Sequence, residues 1–230
     1  MERNSNLLDL FKFNSIEEAE NLQRLLSEKI ILTDRFSALR LIGGVDTSFS
    51  RDGRVLSVIV VMEFESLKLM TISYHLDTVD FPYIPGFLSF REGPTIIEAW
   101  KKLEVKPDIL LVDGQGYAHP RHLGIASHLG VALDIPTIGC AKSLLVGRYE
   151  EPGPLKGDFT PILYEDEMVG IALRTKDNTK PVFVSSGHMV SFESSIDIIL
   201  KSITRYRLPE PLRYAHQYSK SMLKGSERNL

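Results

Sequence analysis

The sequence predicts an α/β fold: one mixed sheet covered by helices on both faces, in a single domain over residues 1–230. Three observations carry that expectation. Three successive runs rich in Val, Ile and Leu, joined by short connections, read as an antiparallel meander. Helical and strand-like segments then alternate, which is how further strands join such a sheet. Finally, 230 residues with 43% hydrophobic content bury one large core more economically than two small ones.

The elements follow in order. Ser15 and Glu18 form a capping-box pattern, and Ile16, Ala19, Leu22, Leu25, Leu26 and Ile30 recur at helical spacing, so residues 15–31 predict an amphipathic helix. Residues 39–48, 54–65 and 68–76 are the meander, with Arg51, Asp52 and Gly53 in one connection. After a loop over 79–89, apolar Ile96, Ile97, Trp100 and Leu103 mark a helix over 94–103, with Pro94 in its first turn. Residues 108–113 predict a buried strand, 121–130 a helix, and 137–139 a short strand that follows Pro136 and leads to Lys142. Residues 162–164 and 168–185 supply further strand-like runs, and 191–204 and 210–223 two more helices. There is no internal repeat or low-complexity tract.

Three acids stand where these runs give way to glycine-rich or proline-rich loops: Asp46 in Gly-Gly-Val-Asp-Thr-Ser-Phe, Glu92 in Phe-Arg-Glu-Gly-Pro and Asp113 in Leu-Leu-Val-Asp-Gly-Gln-Gly. An ionised group that ends a buried run is costly unless a cation or hydrogen-bond donors compensate. At any one position, an acid that merely caps a turn before glycine is the alternative. A meander followed by alternating helices and strands is the arrangement of ribonuclease H-like domains, in which the first and fourth strands end side by side. Asp46 and Asp113 would converge there, and Glu92, at the head of the intervening helix, would complete the cluster. Clustered carboxylates repel without a cation, so at least one pKa should rise, and a hard oxygen-loving cation is the natural occupant.

Composition narrows the classes. The longest apolar runs, such as 55–62, are far shorter than the roughly 20 residues a bilayer span needs. The opening residues lack a basic flank followed by an apolar stretch, so a cytoplasmic address is expected rather than secretion. Cys140 is the only cysteine, which excludes an internal disulfide and a multi-cysteine zinc site. The net charge of −3 hides an asymmetry: residues 201–230 hold seven basic residues against two acidic, a local balance of +5. That tail interleaves Tyr206, Tyr214 and Tyr218 with its cations, which suits a phosphate backbone. A solvated helix face with the tyrosines packed inward is the alternative.

Four motifs, in order and with compatible spacing, resemble the endonuclease V family of deoxyinosine-specific nucleases, from about Gly43 to His216. They are Gly-Gly-Val-Asp-Thr-Ser-Phe, Pro-Tyr-Ile-Pro-Gly-Phe-Leu-Ser-Phe-Arg-Glu, Leu-Val-Asp-Gly-Gln-Gly-Tyr-Ala-His-Pro and Ile-Gly-Cys-Ala-Lys-Ser. Four motifs in register are far more specific than one. No catalytic position departs from the pattern.

The resemblance implies roles. Asp46 and Asp113 become magnesium ligands, with manganese able to substitute, and Glu92 a third carboxylate that binds directly or through water. Lys142 matches an active-site lysine that binds the phosphate or stabilises the leaving oxygen. His216 matches a histidine near the metal that orients a water or moves a proton. His119 is a substrate-contact candidate; His75, His122, His128 and His188 read as packed histidines. Pro82, Tyr83, Ile84 and Pro85 become a stiff DNA wedge that fills the gap left by an extruded base, where residue type alone favours a tight turn with Tyr83 inside. Gly86, Leu88, Gly114, Gly116, Gly124 and Ile125 become candidates for the base pocket, although each glycine could equally serve a turn.

The function these residues imply is a magnesium-dependent repair endonuclease, acting as a monomer on inosine-containing DNA. It would hydrolyse the second phosphodiester bond 3′ to the lesion and leave 3′-hydroxyl and 5′-phosphate ends. Its rivals are inosine-specific cleavage of RNA, a non-catalytic inosine-binding module, and a sugar-kinase or actin-like phosphotransferase. The last normally pairs two domains, for which 230 residues leave no room.

Overall fold

The structure, a computed structural model, describes residues 7–79 and 81–227, without the side chains of residues 226 and 227. The opening residues 1–6 and Arg228 of the basic tail lie outside the described residues. The strands are β1 (Leu41–Phe49), β2 (Arg54–Glu63), β3 (Leu69–Thr78), β4 (Ile109–Val112), β5 (Thr137–Ala141), β6 (Phe159–Tyr164), β7 (Glu167–Leu173) and β8 (Val182–His188). The helices are α1 (Ile16–Ser27), α2 (Leu88–Lys101), α3 (Ile125–Leu133), α4 (Phe192–Lys201) and α5 (Glu210–Glu227), preceded by a single 3-10 turn at Leu7–Phe11.

All eight strands form one sheet in the order β3-β2-β1-β4-β5-β8-β7-β6. The meander β1–β3 is antiparallel, and β4 and β5 add in parallel beside β1. β8, β7 and β6 then extend the sheet antiparallel. Side chains alternate between faces along a strand, and both faces are apolar here, as a doubly covered sheet requires. Val45, Ile59, Leu110 and Val112 pack with Ile96, Ile97 and Trp100 of α2 and with Leu129 of α3. Ile42, Ile109 and Leu111 pack on the other face with Ile198 and Ile199 of α4 and with Leu212 of α5. This is the ribonuclease H-like arrangement, with helices on both faces.

Several boundaries differ from the sequence reading. Ser15 caps α1 as expected, accepting from the Glu18 amide at 3.1 Å, but the Glu18 carboxylate reaches Asn14 instead of Ser15. α2 begins at Leu88, so Pro94 lies inside it and leaves the Phe90 carbonyl without its helical donor. Tertiary packing sets this earlier start: Phe90 is buried beside Phe87 and Ala19, and a Cβ on Gly93 would lie 2.3 Å from the Phe11 ring. α3 starts at Ile125, because His122 holds a positive φ of 54° that no helix continues. Cys140 is buried in β5, and its thiol is pushed up to about 12 by that burial.

Candidate active site

β1 pairs in parallel with β4 from Ile42↔Ile109 to Val45↔Val112 and then outruns it to Phe49. Asp46 and Asp113 are therefore the next residue on each of two adjacent strands, where the parallel ladder stops. Asp113 does end its strand. Asp46 does not: it lies within β1, still paired with β2 through Asp46↔Val58.

Alternation along β1 distributes the neighbours. Val45 and Thr47 face α2, while Gly44, Asp46 and Ser48 face α5. A Cβ on Gly44 would lie 2.3 Å from the Pro211 carbonyl carbon, so only glycine lets α5 sit this close to the strand. That proximity puts His216 Nδ1 at 3.2 Å from Asp46 Oδ1 and lets Ser219 Oγ donate to Asp46 Oδ2 at 2.5 Å. Asp46 is only 7% exposed, and burial raises its pKa against the opposing pull of Ser219 and His216.

Glu92 stands in the second turn of α2, on the opposite face from α5, rather than at the end of a strand. Burial, followed by the charge of Asp46, pushes it up to about 8, against a hydrogen bond from Thr47; Asp113 adds to the rise. Asp113 is paired with Lys142, which follows β5. The three carboxylates offer oxygen ligands, the kind a hard divalent cation prefers. Among the described residues, no three His, Cys, Asp or Glu side chains are gathered closely enough to hold one ion as they stand. Asp113 is turned to Lys142, and Asp46 to Ser219 and His216.

Two cavities meet at Asp113. One, of about 280 Å³, is lined by Tyr83, Gly86, Leu88, Asp113, Gly114, Gln115, His119, Gly124, Ile125 and the segment from Ala141 to Leu145. Its size is near the low end for small-molecule sites, roughly 300–1,000 Å³. The other is an open groove of about 970 Å³ that runs from Asp46, Asp113 and His216 past Ser48, Phe49 and Arg51 to Lys220 and Lys224.

Within the proline-bracketed loop, Pro82 and Pro85 are exposed. Tyr83 projects outward, 64% exposed, at the cavity mouth, while Ile84 packs with Phe87 and Phe90. Gly86 has φ +84°, and its carbonyl accepts from Gln23 Nε2 at 2.9 Å and from His119 Nε2 at 3.0 Å. His119 Nδ1 accepts from the Arg121 amide at 3.2 Å, which assigns the proton to Nε2. Burial brings His119 down to about 4, so it stays neutral at ordinary pH.

Gly116, unlike Gly86, Gly114 and Gly124, is not among the residues that line the cavity. Its Cβ would meet the Ser186 carbonyl oxygen at 2.4 Å, so this glycine packs the Asp113 loop onto β8. His128 is a packed histidine, held between Ser89 and the Leu10 carbonyl. Sequence reasoning missed Ser219, Thr47, Gln23 and Gln115. Ser219 was findable, being one turn beyond His216 on the same helix. Gln115 Nε2 donates to the Ser143 carbonyl at 2.9 Å, while its Oε1 is buried in the cavity wall without a partner among the described residues.

Known proteins share this sequence pattern and fold. The chain is 59% identical over 215 residues to an endonuclease V of Dictyoglomus turgidum, covering 94% of each chain. Its fold matches the crystal structure of an endonuclease V from Bacillus subtilis with a TM-score of 0.91 at 33% identity, over 96% of this chain and 98% of that one. It also matches the Ciona intestinalis endonuclease V in complex with a 24mer DNA containing an inosine followed by a ribo-adenosine, with a TM-score of 0.81 at 30% identity over 91% and 98% of the two chains. The endonuclease V family model matches residues 24–217, spanning both cavities up to His216, and the chain belongs to the endonuclease V family of endonucleases.

Proposed function

We propose that the protein is a magnesium-dependent endonuclease that takes a deoxyinosine base into the smaller cavity and hydrolyses the second phosphodiester bond on its 3′ side. The observation that carries this reading is that Asp113 lines both the cavity and the groove. A base seated in the cavity would thus bring its own strand across Asp113 and Asp46. The inosine-containing DNA held by the Ciona relative supports the substrate class.

Asp46 and Asp113 would hold the cation, with Glu92 bound directly or through water. Magnesium, which manganese can replace, supplies an activated water and neutralises charge on the scissile phosphate. With Nδ1 directed at Asp46, His216 presents Nε2 to take a proton from the attacking water. Lys142 stabilises the departing oxygen. Water adds to phosphorus as the P–O3′ bond breaks, which leaves a 3′-hydroxyl and a 5′-phosphate.

Tyr83 fills the space of the extruded base. In the cavity, Gln115 Oε1 offers an acceptor for the ring N1 hydrogen of hypoxanthine, and main-chain groups offer the donor for O6. Adenine presents the reverse pattern, and such a mismatch discriminates strongly. The chain acts as one domain and as a monomer, with both cavities on one sheet. Cleavage of inosine in RNA is the second reading, motivated by the ribo-adenosine in the Ciona complex.

The test is a nicking assay on matched oligonucleotides carrying deoxyinosine, deoxyuridine, an abasic site or ribo-inosine, with and without magnesium. Product only with deoxyinosine and magnesium is the expected result. Failure to nick any substrate, with tight inosine binding retained, would make the protein a binding module instead.

A further inference from the structure

The groove extends beyond Asp46, and its far rim is cationic. His216, Lys220 and Lys224 stand four residues apart on α5, so they share one face, each about 6 Å beyond the last. The neighbouring stripe, Ala215, Ser219 and Leu223, is buried against the sheet and fixes the rotation of the helix. The lysines are therefore held along the groove. Arg51, in the β1–β2 connection, also lines it, as does Phe49, whose ring carries the Arg91 guanidinium 4.4 Å from its centroid.

Some basic groups elsewhere on the protein have an acidic partner: Lys12 pairs with Asp9, Arg54 with Asp52 and Lys101 with Glu98. Among the described residues, no carboxylate pairs with Lys220, Lys224 or Arg51. Exposed lysines on a helix are ordinary. These differ because they continue, in single file, from the carboxylates at which the bond is cut.

We propose that Lys220 and Lys224, with Arg51 across from them, are a phosphate track for the substrate strand on the 3′ side of the cleaved bond. The direction rests on the proposed function: the base occupies the cavity on one side of Asp113, and cleavage lies 3′ to it. The strand therefore enters the groove 3′-ward. From His216 to Lys224 the stripe runs about 12 Å, roughly three nucleotides at 3.4 Å of rise each.

The experiment measures binding with metal chelated, on deoxyinosine oligonucleotides whose 3′ flank is extended from two to eight nucleotides, and on a set extended only on the 5′ side. Wild type gains affinity from the 3′ extension. The Lys220→Ala/Lys224→Ala double variant loses most of that gain, binding the long 3′ flank on the order of tenfold more weakly. Its slope of log affinity against log salt falls by about 1.4, the share of two single-strand phosphate contacts. Lys224→Glu alone goes in the same direction. An unchanged gain and slope, or an equal loss on the 5′-extended set, would overturn the track. If wild type shows no preference for inosine over an undamaged strand, the proposed substrate fails instead. The track is then judged on the undamaged strand, where a reduced slope in the double variant supports it and an unchanged slope refutes it.

Discussion

Ser219 Oγ donates to Asp46 Oδ2 at 2.5 Å, tying the last helix to the first strand across 173 residues of sequence. The bond holds the Asp46 carboxylate in one orientation and favours its ionised form against burial. Groups that orient a metal ligand in this way are typically worth about 10–100-fold in metal affinity. Ser219→Ala should therefore raise the magnesium concentration needed for half-maximal nicking by on the order of tenfold. A magnesium titration that superimposes on wild type would remove Ser219 from the site.

Gly44 decides whether α5 can reach Asp46 at all. A methyl group there meets the backbone of Pro211 rather than the tip of a flexible side chain, so the helix itself must shift. Gly44→Ala should cost about 1–3 kcal/mol of stability, read from a denaturant melt. It should also lower nicking by more than the unfolded fraction explains, because His216 and Ser219 move with the helix. Full activity in the folded fraction would show that the approach of α5 is only structural.

Tyr83 is 64% exposed, so its truncation should leave stability within about 0.5 kcal/mol of wild type. Its cost should appear on the substrate. Extruding a base from a duplex requires unstacking that a single strand largely avoids. Tyr83→Ala should slow nicking of duplex inosine on the order of tenfold or more, and that of single-stranded inosine much less. Equal losses on both substrates would argue against a wedge.

Glu92 sets a pH dependence with a definite sign. Its pKa rises from 4.5 to about 8 in the folded chain, so folding favours the protonated form. Without metal, that contribution is complete below about pH 4.5 and is lost as pH rises through about 8. Asp46, also raised, acts in the same direction. The melting temperature of the metal-free protein should fall between pH 5 and pH 8.5, less steeply in Glu92→Gln, and magnesium should restore it at the alkaline end. A flat profile in wild type would mean that the three acids do not share one field.

The meander, the alternation that follows it, Asp113 at the end of a buried strand, and the motifs that mark the family are all legible in the sequence. These are local signals: apolar periodicity, a proline bracket, a carboxylate before glycine. The rest depends on how the elements pack. Asp46 and Glu92 were named from their motifs, but how they reach the candidate site was not legible: Asp46 because β1 outruns β4, and Glu92 because α2 begins six residues before Pro94. Gly116 reads as a turn or pocket glycine and Gly44 only as part of its motif, yet both are points of close contact, with β8 and with α5. Gln23 carries no local signal, and Ser219 only its place one turn beyond His216, since a serine or glutamine on a helix is ordinary until the helix is docked. Periodicity tells which face of an element is buried, but not what that face meets. Which polar groups end up at hydrogen-bond distance is fixed by the packing of elements distant in sequence.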